Sequence, residues 1–342
     1  MPIRVAVNGF GVIGKRVADA VRLQPDLTLV GIAKRRPSFE ARAAAAKGYP
    51  IYVGGDGKPA EFEAAGLPVA GTAEEMIRAA DVVVDCTPEK VGREQAKAYE
   101  RAHVRAVFQG GEKADVAEVS FNAQSNFAAA LGKQRVRVVS CNTTGIARAV
   151  AVLSGEFGVE HWEATIVRRA ADPPESHRGP INGILPTFRL PSHHGPDVRT
   201  IFPDLSISTI AVVVPTTLMH VHVNHVRLAR PPASVAEVVE AFRRAPRFHV
   251  FHRWELVEGT PQVIEYARDR GASGRSDFME NGLWEDGIKL DGRDLYFFQA
   301  IHQESIVVPE NIDAIRAMFE LTADARTSIA LTDRSLGIPA PG

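Results

Sequence analysis

The spacing of apolar and polar positions divides this chain into two textures that meet about 140 residues from the start. In the first, short apolar runs alternate with helical patterns. Ile3 to Asn8 reads as a strand, runs into Gly9-Phe10-Gly11-Val12-Ile13-Gly14, and is followed by the helical pattern Lys15 to Val21. Leu27 to Ala33 is the next strand, and Ala41 to Lys47 is a helix candidate. Ala73 to Ala80 is a helix that Thr72 and Glu75 open as a capping box, each side chain satisfying a backbone N–H that the first turn leaves orphaned. Asp81 to Cys86 is a continuous, buried-type strand, followed by a helix around Gly92 to Glu100, a strand at Val104 to Gln109 and another ending at Ser140. Strands alternating with helices predict a doubly wound parallel sheet with its ligands at the carboxyl ends of the strands. Those ends carry Gly9, Thr87-Pro88, Gly110-Gly111 and Cys141, so a nucleophile and a cofactor are expected to meet at one edge of the sheet.

Beyond Cys141 the strands lengthen and alternate: His161 to Arg168, Ser208 to Pro215 and His220 to Leu228, with a polar, proline-rich stretch from Asp172 to Asp197 among them. That texture predicts a mostly antiparallel sheet carrying substrate loops. Near the end, Pro309 with Ile312, Ile315 and Phe319 marks an amphipathic helix expected to pack back on the first domain. The fold class is α/β: a Rossmann-type domain from residues 1–139 with 304–342, and an α+β catalytic domain from residues 140–303.

Composition narrows the function. A chain of 342 residues with a net charge of −1 offers no basic surface for nucleic acid or an anionic membrane. Two cysteines, Cys86 and Cys141, are too few for a disulfide framework. No signal-peptide pattern or membrane-length apolar run is present, and a cytoplasmic protein is expected.

The chemistry rests on a few positions. Gly9-Phe10-Gly11-Val12-Ile13-Gly14 between a strand and a helix is what a dinucleotide turn requires, because its glycines let the backbone approach a pyrophosphate that sits on the helix N-terminus. A ligand-free tight turn is the plain alternative. Cys141 lies where a strand gives way to a helix, and helix-end N–H groups favour the thiolate, the form that attacks. A free cysteine is otherwise a small core hydrophobe, which is the reading given to Cys86. After the second strand, Lys34-Arg35-Arg36 stand where an acid would bind a ribose 2′-hydroxyl, and no acid follows until Glu40. Basic side chains there suit a 2′-phosphate, so NADP is preferred with NAD also usable, unless the run is a solvated turn. Among 11 histidines, alternation puts His220 and His222 on one face of their strand and His225 on the other. His193-His194 reads as a polar loop, poorly spaced for zinc, and no metal is expected. Arg168-Arg169 is an oxyanion-binding pair or a solvated strand end.

These segments together resemble the archaeal-type (type II) phosphorylating glyceraldehyde-3-phosphate dehydrogenases over essentially the whole chain. The resemblance is carried by Val7 to Gly11, Lys15 to Ala20, Asp85 to Glu89, Phe108 to Lys113, Ser140 to Gly145, Pro191 to Val198, Pro215 to His220 and His302 to Ser305. It implies reversible phosphorylating oxidation of D-glyceraldehyde 3-phosphate to 1,3-bisphosphoglycerate, through a Cys141 thiohemiacetal and thioester with hydride transfer to NAD(P), in glycolysis or gluconeogenesis. His220 would take the thiol proton and then steady the oxyanion. Cofactor contacts would come from Gly9, Gly11, Val12, Ile13, Gly14, Lys34, Arg35, Gly111, Arg169 and Gln303. Substrate and phosphate contacts would come from Ser140, Asn142, Thr143, Arg168, His193, His194 and Gly195, with Thr144 also available. A homotetramer is implied. Competing readings are a non-phosphorylating aldehyde or semialdehyde dehydrogenase with the same cysteine, and a nucleotide-sensing binding module that needs no thiol.

Overall fold

The computed structural model describes residues 1–109, 111–172, 179–271 and 274–342. Gly110 of the strand-end pair and residues 173–178 of the proline-rich stretch lie outside the described residues. Backbone contacts divide the chain into two units, Met1–Ser140 with Val308–Leu336, and Cys141–Val307 with Gly337–Gly342.

The first unit is built on eight strands: β1 (Ile3–Asn8), β2 (Leu27–Lys34), β3 (Ile51–Val53), β4 (Gly71–Thr72), β5 (Val82–Asp85), β6 (Arg105–Phe108), β7 (Val119–Phe121) and β8 (Arg135–Val138). All pair in parallel in the order β4-β3-β2-β1-β5-β6-β8-β7. Val5 to Val7 and Val82 to Val84 have no exposed surface, as expected of β-branched runs covered on both faces, where each buried valine contributes roughly 1.5–3 kcal/mol. The strand order turns at β1, which pairs with β2 on one side and β5 on the other. The glycine turn follows β1, at the crevice where such sheets bind ligands. The capping box at Thr72 and Glu75 is present.

The late helix Val308–Met318 belongs to this unit but is not amphipathic, since every one of its residues is buried. Its polar side chains are satisfied inside. The Arg316 guanidinium meets both oxygens of Asp26 at 2.8 Å and Gln24 at 2.9 Å, Glu310 accepts the Ala123 N–H at 2.7 Å, and Asp313 accepts from Ser328 and Thr332. A polar residue with a buried partner is indistinguishable in sequence from one in water, which is why the periodicity misled. Phe319, expected on the apolar stripe, lies just past the helix with the Arg105 guanidinium 4.2 Å over its ring.

The second unit carries β9 (Val159–Arg169), β10 (Leu185–Pro186), β11 (Ile207–Val214), β12 (His220–Leu228), β13 (Phe248–Phe251), β14 (Asn281–Asp291) and β15 (Asp294–Ile301). Their order is β10-β11-β9-β12-β15-β14-β13, antiparallel except for the β9/β11 and β13/β14 pairs. The helix Cys141–Glu156 presses Ile146, Ala149, Val150 and Leu153 onto a core with Trp162, Phe242 and Phe297. At Gly145 the approach is so close that a Cβ would fall 2.4 Å from Ile301 Cδ1. Along β12, His220, His222 and Asn224 are buried while His225 faces outward to Asp294 and Glu163.

Candidate active site

In the first unit the glycine turn has the stereochemistry of a phosphate cradle. Gly9 has φ +94°, and a Cβ on Gly14 would lie 1.9 Å from the Gly9 carbonyl, so only hydrogen fits at Gly14. Gly11 caps the helix Val12–Arg22, which has no side-chain cap and no acid in its first turn. Nothing stands within 4 Å of where a Gly11 Cβ would be. Space, helix-end N–H groups and absence of negative charge fit a dinucleotide pyrophosphate, with Val12 and Ile13 supplying the first turn. Lys34 reaches back over this turn, Nζ 3.3 Å from the Phe10 carbonyl and 3.5 Å from Glu40. Arg35 is exposed and 3.3 Å from Asp56, and Arg36 is exposed. The basic run is therefore accompanied by two acids, Glu40 and Asp56, that its linear spacing did not place there. Gly111 is exposed at the end of β6. The Cys86 thiol is pushed well up by burial and by neighbouring Asp85, consistent with an unreactive packing residue.

In the second unit Cys141 is the first residue of its helix, and its Sγ lies 3.6 Å from His220 Nε2. Burial pushes the thiol up, while Arg169, Arg168 and the Asn142 N–H pull it down. Burial lowers the Arg168 guanidinium, and the Nε atoms of Arg168 and Arg169 have no hydrogen-bond partner among the described residues. Two partly buried guanidiniums with unused donors beside a thiol form a ready oxyanion site.

His220 is held from behind. Its Nδ1 accepts the Arg169 backbone N–H at 3.0 Å, which puts the ring proton on Nε2, facing the sulfur. In this arrangement the ring donates toward Sγ. Taking the thiol proton at Nε2 would need the other tautomer, with Nδ1–H set against the Arg169 N–H. Burial, followed by the His222, Arg168, Arg169 and His194 charges, drives the imidazole well below its ordinary range, so it is neutral near pH 7. The preceding residue, Met219, has φ 69°. That left-handed backbone costs a bulky residue about 1–3 kcal/mol, and its N–H is clamped at 2.8 Å by Gln303 Oε1.

Several expected contacts are spent within the chain. Gln303 Nε2 donates to the Thr217 carbonyl at 3.0 Å and to Asp172 at 3.3 Å, so both ends of its amide hold the segment before His220. Arg169 pairs with Asp172 at 3.0 Å. The Thr143 hydroxyl donates to Asp197, and Thr144 is buried. The polar loop expected at His193-His194 is instead the start of a short helix, His194–Val198. His193 is exposed, whereas His194 is buried with Nε2 on Asn142 and Nδ1 on Ser192, and Gly195 donates its N–H to Thr209. Ser140 is the residue before Cys141, at the end of the first unit. Among the described residues no cluster of side chains could hold a metal ion. His222, Asn281 and Gln299 were not singled out by sequence reasoning as site residues, although all three are buried close to this site.

The buried imidazoles carry a consequence for stability. Burial holds His222 at about 3, and burial with neighbouring His193, Arg168 and His222 holds His194 at about 2. Between those values and the unfolded value near 6.5, only the unfolded chain binds the protons. Stability should therefore fall as the pH drops below about 6.5. Replacing His222 by Asn should flatten that fall by up to about 1.4 kcal/mol per pH unit, measured by denaturant unfolding between about pH 6 and 4.5. An unchanged slope would show that the folded ring takes up its proton in that range.

Comparison with known proteins agrees with both units. Residues 140–283 match the glyceraldehyde 3-phosphate dehydrogenase C-terminal domain, and residues 3–125 match the dihydrodipicolinate reductase N-terminus. A glyceraldehyde-3-phosphate dehydrogenase of Archaeoglobus fulgidus is 51% identical over 340 residues, covering 99% of this chain and 98% of the relative. Those of Haloarcula marismortui and Thermococcus kodakarensis are 51% and 48% identical, covering 98% and 99% of this chain and 94% and 99% of theirs. With a cysteine at a helix start set against a buried histidine and full-length identity near one half, the chain belongs to the archaeal-type glyceraldehyde-3-phosphate dehydrogenase family.

Proposed function

We propose that this chain oxidises glyceraldehyde 3-phosphate with inorganic phosphate and NAD(P)⁺, giving 1,3-bisphosphoglycerate, NAD(P)H and a proton. The observation that carries the reading is the Cys141 sulfur at a helix start, 3.6 Å from the His220 ring nitrogen. The Cys141 thiolate adds to the aldehyde carbon, and the His220 Nε2–H donates to the oxygen that gains charge. Cys141 would then hold the oxidised carbon as a thioester, a bound nicotinamide supplying the hydride acceptor. A phosphate oxygen then attacks the acyl carbon and expels the thiolate, a good leaving group. Arg168 and Arg169 offer unused donors for the anions, and exposed His193 stands beside them in the assignment. Gln303 supports the same site by holding the backbone that presents His220.

The test is a hydride-transfer assay on glyceraldehyde 3-phosphate with both dinucleotides, with and without phosphate. Sustained turnover should require phosphate and yield the acyl phosphate. Phosphate-independent release of 3-phosphoglycerate would make the chain a non-phosphorylating dehydrogenase instead.

NADP preference is proposed on Lys34 and Arg35, Arg35 being the sharper probe because it and its partner Asp56 are both exposed, whereas Lys34 is half-buried between Glu40 and the Phe10 carbonyl. Losing one charge-assisted hydrogen bond, roughly 1.5–3 kcal/mol, Arg35→Gln should bind NADP about 10- to 100-fold more weakly and leave NAD nearly unaffected. The loss should shrink in high salt. Equal losses for both dinucleotides would show that Arg35 does not read the 2′ position.

The proposal includes a homotetramer, and an apolar row on the outer face of the second sheet supports self-association through that face. Ile210 and Val223 both pair with Thr165, and Val223 pairs with Phe298, leaving Ile210, Val223 and Phe298 exposed by 49%, 38% and 43%. Such a face is costly to leave in water. Light scattering should give four times the 37.1 kDa chain mass. No helix among the described residues is long and apolar enough to cross a membrane; a cytoplasmic location is part of the proposal.

A further inference from the structure

We propose that His222 is a positioning residue for the Cys141 thiolate, acting through Asn142 at the head of a one-directional buried hydrogen-bond chain. The inference rests on Cys141 being the nucleophile. The chain runs from Asn281 to Thr209 and meets the helix that Cys141 opens at two points, Gly145 and Asn142. Asn281, on β14, donates from Nδ2 to the Gly145 carbonyl at 2.7 Å and to Gln299 Oε1 at 2.9 Å. Gln299, on β15, donates from Nε2 to His222 Nδ1 at 2.9 Å. His222, its register partner on β12, then carries its proton on Nε2 and donates to Asn142 Oδ1 at 2.8 Å. The Asn142 amide is thereby oriented with Nδ2 toward His194 Nε2, at 3.4 Å. His194 must then donate from Nδ1 to Ser192 Oγ at 3.0 Å, and Ser192 to Thr209 at 2.8 Å.

Every link has a donor meeting an acceptor, and each choice forces the next, because an imidazole with one nitrogen accepting must donate from the other. Asn281, Gln299 and His222 are fully buried, so no water is at hand to replace a lost partner. The destination is functional. Asn142 follows Cys141 directly in the chain, and its backbone N–H is one of the groups that favour the Cys141 thiolate. Fixing the Asn142 side chain from two sides, by His222 and His194, fixes the residue that adjoins the sulfur in the first turn of its helix. The remaining groups that face the sulfur are His220 on β12, Arg168 and Arg169 at the end of β9, and Asp172 beyond it. None of these is part of the chain from Asn281 to Thr209.

The experiment measures alkylation of Cys141 by iodoacetamide against pH, with peptide mapping, in the wild type, His222→Asn and His222→Gln. Asn keeps a group that can face Gln299 but is too short to reach Asn142, whereas the Gln amide reaches about as far as Nε2. In His222→Asn the apparent thiol pKa should rise by about one unit, cutting alkylation near neutral pH about tenfold, with kcat lowered and dinucleotide affinity unchanged. His222→Gln should restore the profile to within about twofold. A wild-type profile in His222→Asn overturns the proposal, as does a Gln variant that folds and is no better than Asn. If His222→Asn does not fold, Gln299→Met, which removes the donor that sets the tautomer, should show the same shift, and an unshifted profile there overturns it. Catalysis that survives complete alkylation of wild-type Cys141 would instead sink the nucleophile assignment, a separate result.

Discussion

Replacing Cys141 by serine is expected to abolish turnover while leaving dinucleotide binding nearly intact. The serine hydroxyl is far harder to ionise than a thiol and its ester is a poorer acyl donor than a thioester, so addition and phosphate attack both suffer. Removing a nucleophile from an assembled site costs roughly 10⁴–10⁶-fold in kcat. The glycine turn that would bind the dinucleotide belongs to the other contact unit, so a titration of cofactor fluorescence should barely change. Mass spectrometry of the wild type after substrate exposure should find the acyl group on the Cys141 peptide. An acyl group on Cys86 would refute the assignment and contradict the burial that holds its thiol protonated.

The second large effect is expected at His220. Loss of a positioned hydrogen-bond donor or proton-transfer group costs about 10²–10⁴-fold, and His220→Asn should fall in that range. The Arg169 N–H on Nδ1 makes a finer distinction possible. A glutamine amide at this position can donate toward Cys141 but cannot take up a proton near neutral pH. If donation is the main task, His220→Gln should retain at least tenfold more activity than His220→Asn. Equal loss in the two variants would return proton transfer to the centre of the role. Near-normal kinetics in His220→Asn, with the loss appearing in His193→Asn, would move the function to the 193–195 segment.

The two sheets were legible in the chain for different reasons. Parallel strands such as β5, buried on both faces, must be apolar throughout, and β12, buried on one face, must alternate; both constraints leave a local mark. Cys141 was legible as a candidate because a thiol at a strand-to-helix junction lies in one contiguous string, and Gly14 because a side chain there would strike the Gly9 carbonyl five residues back. By contrast, Gln299 and Asn281 are ordinary polar residues on ordinary strands. Nothing within several positions marks Gln299 as the partner of a histidine 77 residues away, or Asn281 as the donor that Gln299 accepts from.

The late helix makes the same point through burial. Arg316 and Asp313 look solvent-facing in sequence, yet Arg316 is fully buried on Asp26, 290 positions earlier in the chain. His194 resembles an exposed ligand until Asn142 and Ser192 are found on its two nitrogens. By itself the sequence marked the main strands of the parallel sheet, the long strands β9, β11 and β12, the turn proposed to hold a pyrophosphate and the thiol proposed to attack, since each depends on residues close together along the chain or on hydrophobic period. Tertiary structure set His220, which the family resemblance had named, against that thiol, and it alone decided which nitrogen of the ring carries the proton and which polar groups are spent inside the protein. Hydrogen bonds join residues far apart in the chain, and burial changes what one side chain can do without changing its name.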